Sequence, residues 1–181
     1  MDLWPRSPQA LGTTASGRRA GLMPMTVGQA ENLADQLAAI NPWSTLGTSI
    51  NGLVQAMGPG SQEHAKSWCL TVDGEPAGAM VIRDGWLKGP FLTLFAVIPH
   101  YQRQGLARAA MEWWEVDARR SRASNLWLSV SDFNIAAQQF YHKTGFTQVA
   151  AIDDLVVDGR SEILMRKRLT GAHSSGAATK T

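Results

Sequence analysis

The sequence predicts an α/β (α+β) fold, with a mixed, mostly antiparallel central sheet of about six or seven strands and about four flanking helices. Three observations predict it. Segments with helical spacing of apolar residues give way, past Gly60, to short apolar runs of strand length. Asp73-Gly74, Asp84-Gly85 and Asp158-Gly159 punctuate those runs as hairpin turns. The run Phe91–Val97 is nearly continuously apolar, which suits a central strand covered on both faces, and a helical segment separates it from the next strand.

Each element follows in order. Residues 20–23 suit a short strand. Thr26 and Gln29 have the spacing of a capping box, opening a helix with Leu33, Leu37 and Ile40 on one face. Asn41-Pro42 stops it, because the residue before proline avoids the helical region. A second helix covers Ser49–Ala56 and breaks at Gly58-Pro59-Gly60. Strands follow at Trp68–Val72, Ala77–Ile82 and Phe91–Val97, the last ended by Pro99. A helix from about Gly105 to Ser121 sets Leu106, Ala109, Ala110, Trp113 and Val116 on one stripe. Leu126–Val130 is the next strand, reached by a right-handed crossover. Asn134–Lys143 is a short helix with Ile135, Ala136 and Phe140 inward and Gly145 as its left-handed cap. Phe146–Val157 and Ser161–Leu169 pair as a closing hairpin, giving the order β-α-α-β-β-β-α-β-α-β-β.

A chain of 181 residues suits one domain that can bury a core without disulfides. Residues 1–18 and 170–181 are rich in Ser, Thr, Gly and Ala without periodicity. They are read as a disordered N-terminal extension and a disordered C-terminal tail, dispensable for stability, leaving 19–169 as the single domain. The excess positive charge lies in or beside those tails. Residues 20–169 hold 13 basic and 14 acidic side chains, which leaves no electrostatic footprint for nucleic acid. Cys69 is the one cysteine, so a disulfide framework and a cysteine-rich zinc site are excluded, and a small core residue is expected there. His64, His142 and His173 match no zinc spacing, so no metal is expected, and His142 is expected to face solvent. No apolar run approaches the roughly 18–20 residues needed to span a bilayer, and none has signal-peptide character. The expected location is cytoplasmic, with no membrane partner. Of the adjacent Trp113 and Trp114, one is expected in the core and the other at its edge or at an oligomer contact.

The chemistry-bearing segment joins the central strand to the long helix: Gln102-Arg103-Gln104-Gly105-Leu106-Ala107. A loop turning directly into a helix exposes the first backbone N–H groups, which have no partner within the helix. Those donors and the positive end of the helix dipole suit a phosphate or pyrophosphate. Gly105 lets an anion approach the main chain, Ala107 keeps the next turn narrow, and Arg103 and Arg108 add charge. Neither a Walker-type loop nor a dinucleotide G-x-G-x-x-G is present.

These residues resemble the acetyl-CoA motif of the GNAT N-acetyltransferases, [Q/R]-x-x-G-x-[G/A], preceded here by Val97-x-Pro99. A second segment, Asn134-x-x-Ala137-x-x-Phe140-Tyr141-x-Lys143-x-Gly145-Phe146, resembles the family's second cofactor segment at the expected interval. The resemblance covers roughly residues 19–169 and implies the GNAT-like sheet order. It implies a bulge that splays Phe91–Val97 from Leu126–Val130 into a V-shaped cleft for the pantetheine arm, against Phe95, Ala96 and Val97. It implies that the amides from Gln102 through Arg103, Gln104, Gly105, Leu106 and Ala107 to Arg108 hold the pyrophosphate of acetyl-CoA, the co-substrate. Asn134 would hydrogen-bond the arm or phosphate region, and Tyr141 would be the general acid for the leaving thiolate.

The chain departs from the family at the general base. Many members carry a glutamate about eleven residues before the phosphate motif, and here that position is about Phe91. Gly85–Val97 contains no Asp, Glu or His. A water chain, Asp132, His100 or an amine arriving neutral are the alternatives. The opening helices are joined by Asn41-Pro42-Trp43, a Pro-Trp pair that resembles the ribosomal-protein alanine N-acetyltransferases. Trp43 is therefore a candidate for lining the acceptor pocket, with Glu31 and Asp35 the nearest acidic side chains. The expected function is transfer of acetyl from acetyl-CoA to a primary amine, on a small molecule or a peptide or protein N-terminus, by direct attack in a ternary complex. The alternative is a non-catalytic acyl-CoA-binding regulatory module. Both a monomer and a homodimer suit the sequence.

Overall fold

A computed structural model describes residues 7–60 and 64–169. The expected C-terminal tail, 170–181, lies outside the described residues. The strands are β1 (Gln9–Thr13), β2 (Arg19–Pro24), β3 (Ala65–Val72), β4 (Glu75–Trp86), β5 (Gly89–Val97), β6 (Asn125–Ser131), β7 (Thr147–Asp153) and β8 (Ser161–Arg168). The helices are α1 (Val27–Ala38), α2 (Trp43–Leu46), α3 (Ile50–Met57), α4 (Leu106–Arg120) and α5 (Ile135–Lys143). The strands form one sheet in the order β1-β2-β3-β4-β5-β6-β8-β7. Every neighbouring pair is antiparallel except β5 and β6. The class is the expected one, with one strand and one short helix more than anticipated.

Local chemistry explains the boundaries. Thr26 and Gln29 form the capping box at the start of α1, each side chain bonding the other's backbone N–H. Ser49 caps α3 through the Gly52 amide. Asp73 and Gly74 both adopt positive φ, so the two-residue turn matches the twist of β3 and β4. Residues Ala77–Ile82 of β4 are all buried, and successive side chains point to opposite faces, so both faces of the sheet are covered there. Helices α1 and α3 pack on β4, and α4 packs on β1 and β5. Cys69 is fully buried in β3, and burial pushes its thiol up to about 12. None of the helices among the described residues is long and apolar enough to cross a membrane.

Four expectations are corrected. Asp84-Gly85 is not a turn: β4 continues to Trp86, Gly85 sits in a register shift with positive φ, and Leu87 and Lys88 make the turn. A turn built from two non-glycine residues at positive φ carries no local signal. On α4 the buried stripe is Leu106, Ala110, Met111, Trp114, Asp117 and Ala118, while Val116 is exposed. Asp117 misled the pattern, because a carboxylate in the stripe makes the neighbouring Val116 look like the inward residue. Burial pushes that carboxyl above its usual range. Trp114 is the core tryptophan, and Trp113 sits at the edge against Trp68, with ring centroids 5.3 Å apart. On α5 the inward residues are Ala137, Phe140 and Tyr141, whereas Ile135 and Ala136 are exposed.

The fourth correction concerns the N-terminal extension. Residues 9–13 form β1 on the edge of β2, and the turn after them folds over the start of α4. Thr14 is buried, and Ala15 N–H donates to the Gln104 carbonyl at 2.9 Å. Ser16 Oγ donates to Gln104 Oε1 at 3.3 Å. Arg18 donates through Nε to Asp73 at 2.8 Å, and its guanidinium lies 5.5 Å from the Tyr101 ring centroid. An edge strand is held by backbone hydrogen bonds and needs few apolar side chains, so its sequence carries no periodic signal. Deleting residues 1–18 is therefore expected to lower the melting temperature by about 4 °C or more, corresponding to roughly 1–2 kcal/mol. Thermal unfolding followed by circular dichroism checks this, and an unchanged midpoint would show that the strand contributes nothing.

Candidate active site

The site begins where the one parallel pairing stops. β5 and β6 pair only at Phe91–Trp127 and Leu92–Leu128. On the other edge of β5, Ile82 pairs with Leu92 while Val81 pairs with Leu94, so Thr93 is one residue too many. Its hydroxyl donates to the Val81 carbonyl at 3.1 Å. A bulge of this kind bends the strand. Beyond it Thr93–Val97 and Ser129–Ser131 diverge into a cleft of about 210 Å³. The opposite end is closed tightly: a Cβ on Gly89 would collide with the Asn125 carbonyl, so only glycine lets β5 approach β6 there.

The cleft brings together most of the candidates. Leu92, Thr93, Leu94 and Phe95 form one wall, with Ser129, Val130 and Ser131 opposite. Asn134 and Tyr141 project from α5, Trp43 and Leu46 from α2, Val156 from the β7–β8 loop and Glu162 from β8. Phe95, Trp43 and Asn134 also line the adjoining space with Ala96, Val97 and Gln102, so the two spaces run together. Asn134 caps α5, its side-chain oxygen accepting from the Ala137 amide at 3.2 Å. Gln102 Nε2 donates to the Val97 carbonyl at 2.8 Å, tying the loop to the end of β5.

The loop has the expected shape. Arg103 and Gly105 both have positive φ, 58° and 86°. The first intrahelical bond runs from Ala109 N–H to the Gly105 carbonyl, so the amides of Leu106, Ala107 and Arg108 precede it, and no side chain caps the helix. A Cβ on Gly105 would meet no heavy atom within 4 Å. Open space in front of uncapped amides at a helix N-terminus fits a pyrophosphate. Gln104 faces the other way, held by Ala15 and Ser16 and donating to the His100 carbonyl at 2.9 Å. Arg108 is exposed and pairs with Glu112 at 3.2 Å, and Arg103 is exposed.

Tyr141 is 7% exposed, between Phe140 and Phe146 at ring-centroid distances of 5.4 and 6.0 Å. Burial raises its phenol above the ordinary tyrosine range, so the group stays protonated at neutral pH. Phe91 packs edge-on against Trp86 at 5.5 Å and offers no basic group. Neither His100 nor Asp132 lines the cleft. Asp132 instead accepts from the Ser161 amide at 3.3 Å. Glu31 and Asp35 lie on the exposed face of α1. Glu162, which sequence reasoning did not single out, is 7% exposed and accepts a hydrogen bond from Ser131 Oγ at 2.6 Å. A single acidic residue in a closing strand gives no signal by itself, and only the pairing of β8 with β6 sets it beside the cleft. No group of three or more His, Cys, Asp or Glu among the described residues is arranged to hold a metal ion.

The sequence profile described as "Acetyltransferase (GNAT) family" matches residues 34–146. The chain belongs to the GNAT acetyltransferase family. The [ribosomal protein bS18]-alanine N-acetyltransferase of Escherichia coli K12 is 34% identical over 98 residues, 53% of this chain. That match spans 66% of the relative, just under two thirds of its length. The crystal structure of the ribosomal-protein-S18-alanine N-acetyltransferase from Escherichia coli is 25% identical. It superposes with a TM-score of 0.66, covering 86% of this chain and 97% of its own. A GNAT acetyltransferase from Elizabethkingia anophelis, solved with acetyl-CoA bound, shares the fold at 16% identity and a TM-score of 0.62, covering 83% of this chain and 98% of its own. Acetyl-CoA is the co-substrate of this family, and the open loop and cleft fit it.

Gly105→Val is expected to weaken CoA binding at least tenfold, about 1.4 kcal/mol, by isothermal calorimetry. The branched side chain would enter the open space before the helix amides, and its φ of 86° disfavours any residue but glycine. Unaltered affinity in a variant with a native melting curve would move the phosphate site elsewhere.

Proposed function

We propose that this protein is an acetyl-CoA-dependent N-acetyltransferase whose acceptor is a primary amine, on a peptide or protein N-terminus or on a small molecule. One observation carries the reading. The cleft opened at Thr93 has a phosphate-type helix N-terminus beyond one end and a buried, protonated tyrosine in its wall. In this reading the amides of Leu106, Ala107 and Arg108 bind the pyrophosphate. The diverging edge of β5 at Phe95–Val97 orients the pantetheine arm as an added strand would be oriented. Asn134, its oxygen already used as the helix cap, has its amide NH2 for the arm.

Transfer is direct in a ternary complex. A covalent acyl-enzyme would need an accessible nucleophile, and Cys69 is fully buried with its thiol pushed up to about 12. Holding both substrates in one cleft supplies the proximity that such a reaction needs. Tyr141 donates its phenolic proton to the departing sulfur. The 34% identical relative is named for an alanine N-terminus of a ribosomal protein, and Pro42-Trp43 borders the cleft, which together support a peptide N-terminus as acceptor. The absence of a carboxylate at Phe91 favours a second reading, a regulatory module that binds acyl-CoA without turnover.

A panel of small amines and of peptides with free N-termini, assayed with acetyl-CoA for thiol release, separates the two. Turnover well above hydrolysis supports the enzyme, and CoA binding without turnover on any acceptor supports the module. Initial-rate patterns with both substrates varied should intersect, as direct transfer requires. Tyr141→Phe should lower kcat roughly 10²-fold or more, about 2.7 kcal/mol, while changing CoA affinity little. The phenyl ring keeps the packing against Phe140 and Phe146, so the change isolates the hydroxyl. Equal losses in kcat and in CoA affinity would make the hydroxyl a binding group instead.

A further inference from the structure

We propose that Glu162 takes the proton from the acceptor ammonium, and that the pocket it closes selects a primary amine carried on an apolar arm. The proposal rests on the N-acetyltransferase reading above and supplies the base that Phe91 cannot. Three observations converge on Glu162. It lines the same cleft as Tyr141. It is 7% exposed, and Ser131 Oγ holds one carboxylate oxygen at 2.6 Å, which fixes the group toward β6. No lysine, arginine or histidine among the described residues pairs with it. A buried carboxylate without a cation costs stability, so its natural counter-charge is a ligand's. Glu162 is also the one acidic side chain among the residues lining the cleft.

The surroundings define the arm. Trp43, Leu46 and Val156 bring apolar surface to the mouth of the cleft, and they offer no second anion to a second ammonium. A monoamine on an apolar or short peptide arm suits these walls, whereas a polyamine would leave a charge unpaired against them.

The step balances. Glu162 removes one N–H proton from the ammonium, freeing the nitrogen lone pair. That pair forms the N–C bond at the thioester carbonyl carbon, and the C–S bond breaks. Tyr141 supplies a proton to the sulfur and recovers the one shed by the new amide nitrogen. The proton on Glu162 passes to solvent, so each turnover releases one proton, one free thiol and one amide.

The test uses the full chain, acetyl-CoA and two acceptors: benzylamine, an ammonium at neutral pH, and methoxyamine, which is neutral there. Glu162→Gln should lower kcat with benzylamine at least roughly 10²-fold, the usual scale of acid–base catalysis, with a far smaller loss on methoxyamine. CoA affinity by calorimetry should hold. Glu162→Asp keeps the carboxylate one methylene further back and should recover part of the benzylamine rate. If the glutamine variant does not bind CoA, the aspartate variant decides by the same contrast between acceptors. Equal losses on both acceptors, or none on benzylamine, overturn the role of Glu162 while leaving the N-acetyltransferase reading standing. A wild-type protein that binds CoA yet acetylates neither these amines nor any peptide overturns that reading, and the base with it.

Discussion

One missing stretch of pairing organises the molecule. β5 is bonded along its whole length to β4 but to β6 at only two positions, and the surplus residue Thr93 marks where it departs. Had the parallel ladder continued, Thr93–Val97 and Ser129–Ser131 would have satisfied one another's backbone groups and left a flat, closed sheet. Because it stops, peptide groups in the middle of the sheet face a cavity, where they need a ligand or water as partner. The helices take their places from the same event. α4 starts beyond the open end of β5, and α5 beyond the open end of β6, so both N-termini stand beside the divergence. Gly89 works in the opposite sense, pressing β5 onto Asn125 so that the strands are anchored at one end and free at the other.

Much of this was legible in residue order, and the parts that were not share a cause. The capping box at Thr26, the turn at Asp73-Gly74, the apolar central strand and the glycine loop into α4 are local: each is decided by residues a few positions apart. The existence of α5 was legible in the same way, but its inward face was not: Ala137, Phe140 and Tyr141 face the core, where Ile135, Ala136 and Phe140 were expected. What escaped depends on partners distant in the chain. β1 exists because β2 offers an edge, not because Gln9–Thr13 prefers to be a strand. The turn at Leu87-Lys88 is imposed by two strands already in register. The α4 stripe contains Asp117, a residue that any hydrophobic pattern assigns to the surface. Glu162 enters the cleft through the pairing of β8 with β6, across a separation that no short motif encodes.

The cleft is also mixed in character in a way that fits its position. Its deep walls, Leu92, Leu94 and Val130, belong to the general core, while Ser129, Ser131 and Glu162 lie on the β6 and β8 side. The apolar side continues the packing that holds the sheet, so it is stabilised by the fold itself. The polar side is held by hydrogen bonds, Ser131 to Glu162 and Asn134 to the first turn of α5. Rigid packing on one side and oriented dipoles on the other let a site keep its geometry without relying on solvent.

The contact of the N-terminal turn with Gln104 has a consequence for biosynthesis. Ser16 and Gln104 are separated by 88 positions, so during synthesis the turn meets the loop it braces only after Gln104 has been made. In sheet order β2, β3 and β4 lie between β1 and β5, and all of them precede Gln104 in the chain. The brace on this loop is therefore a contact that only a chain synthesised through β5 can make.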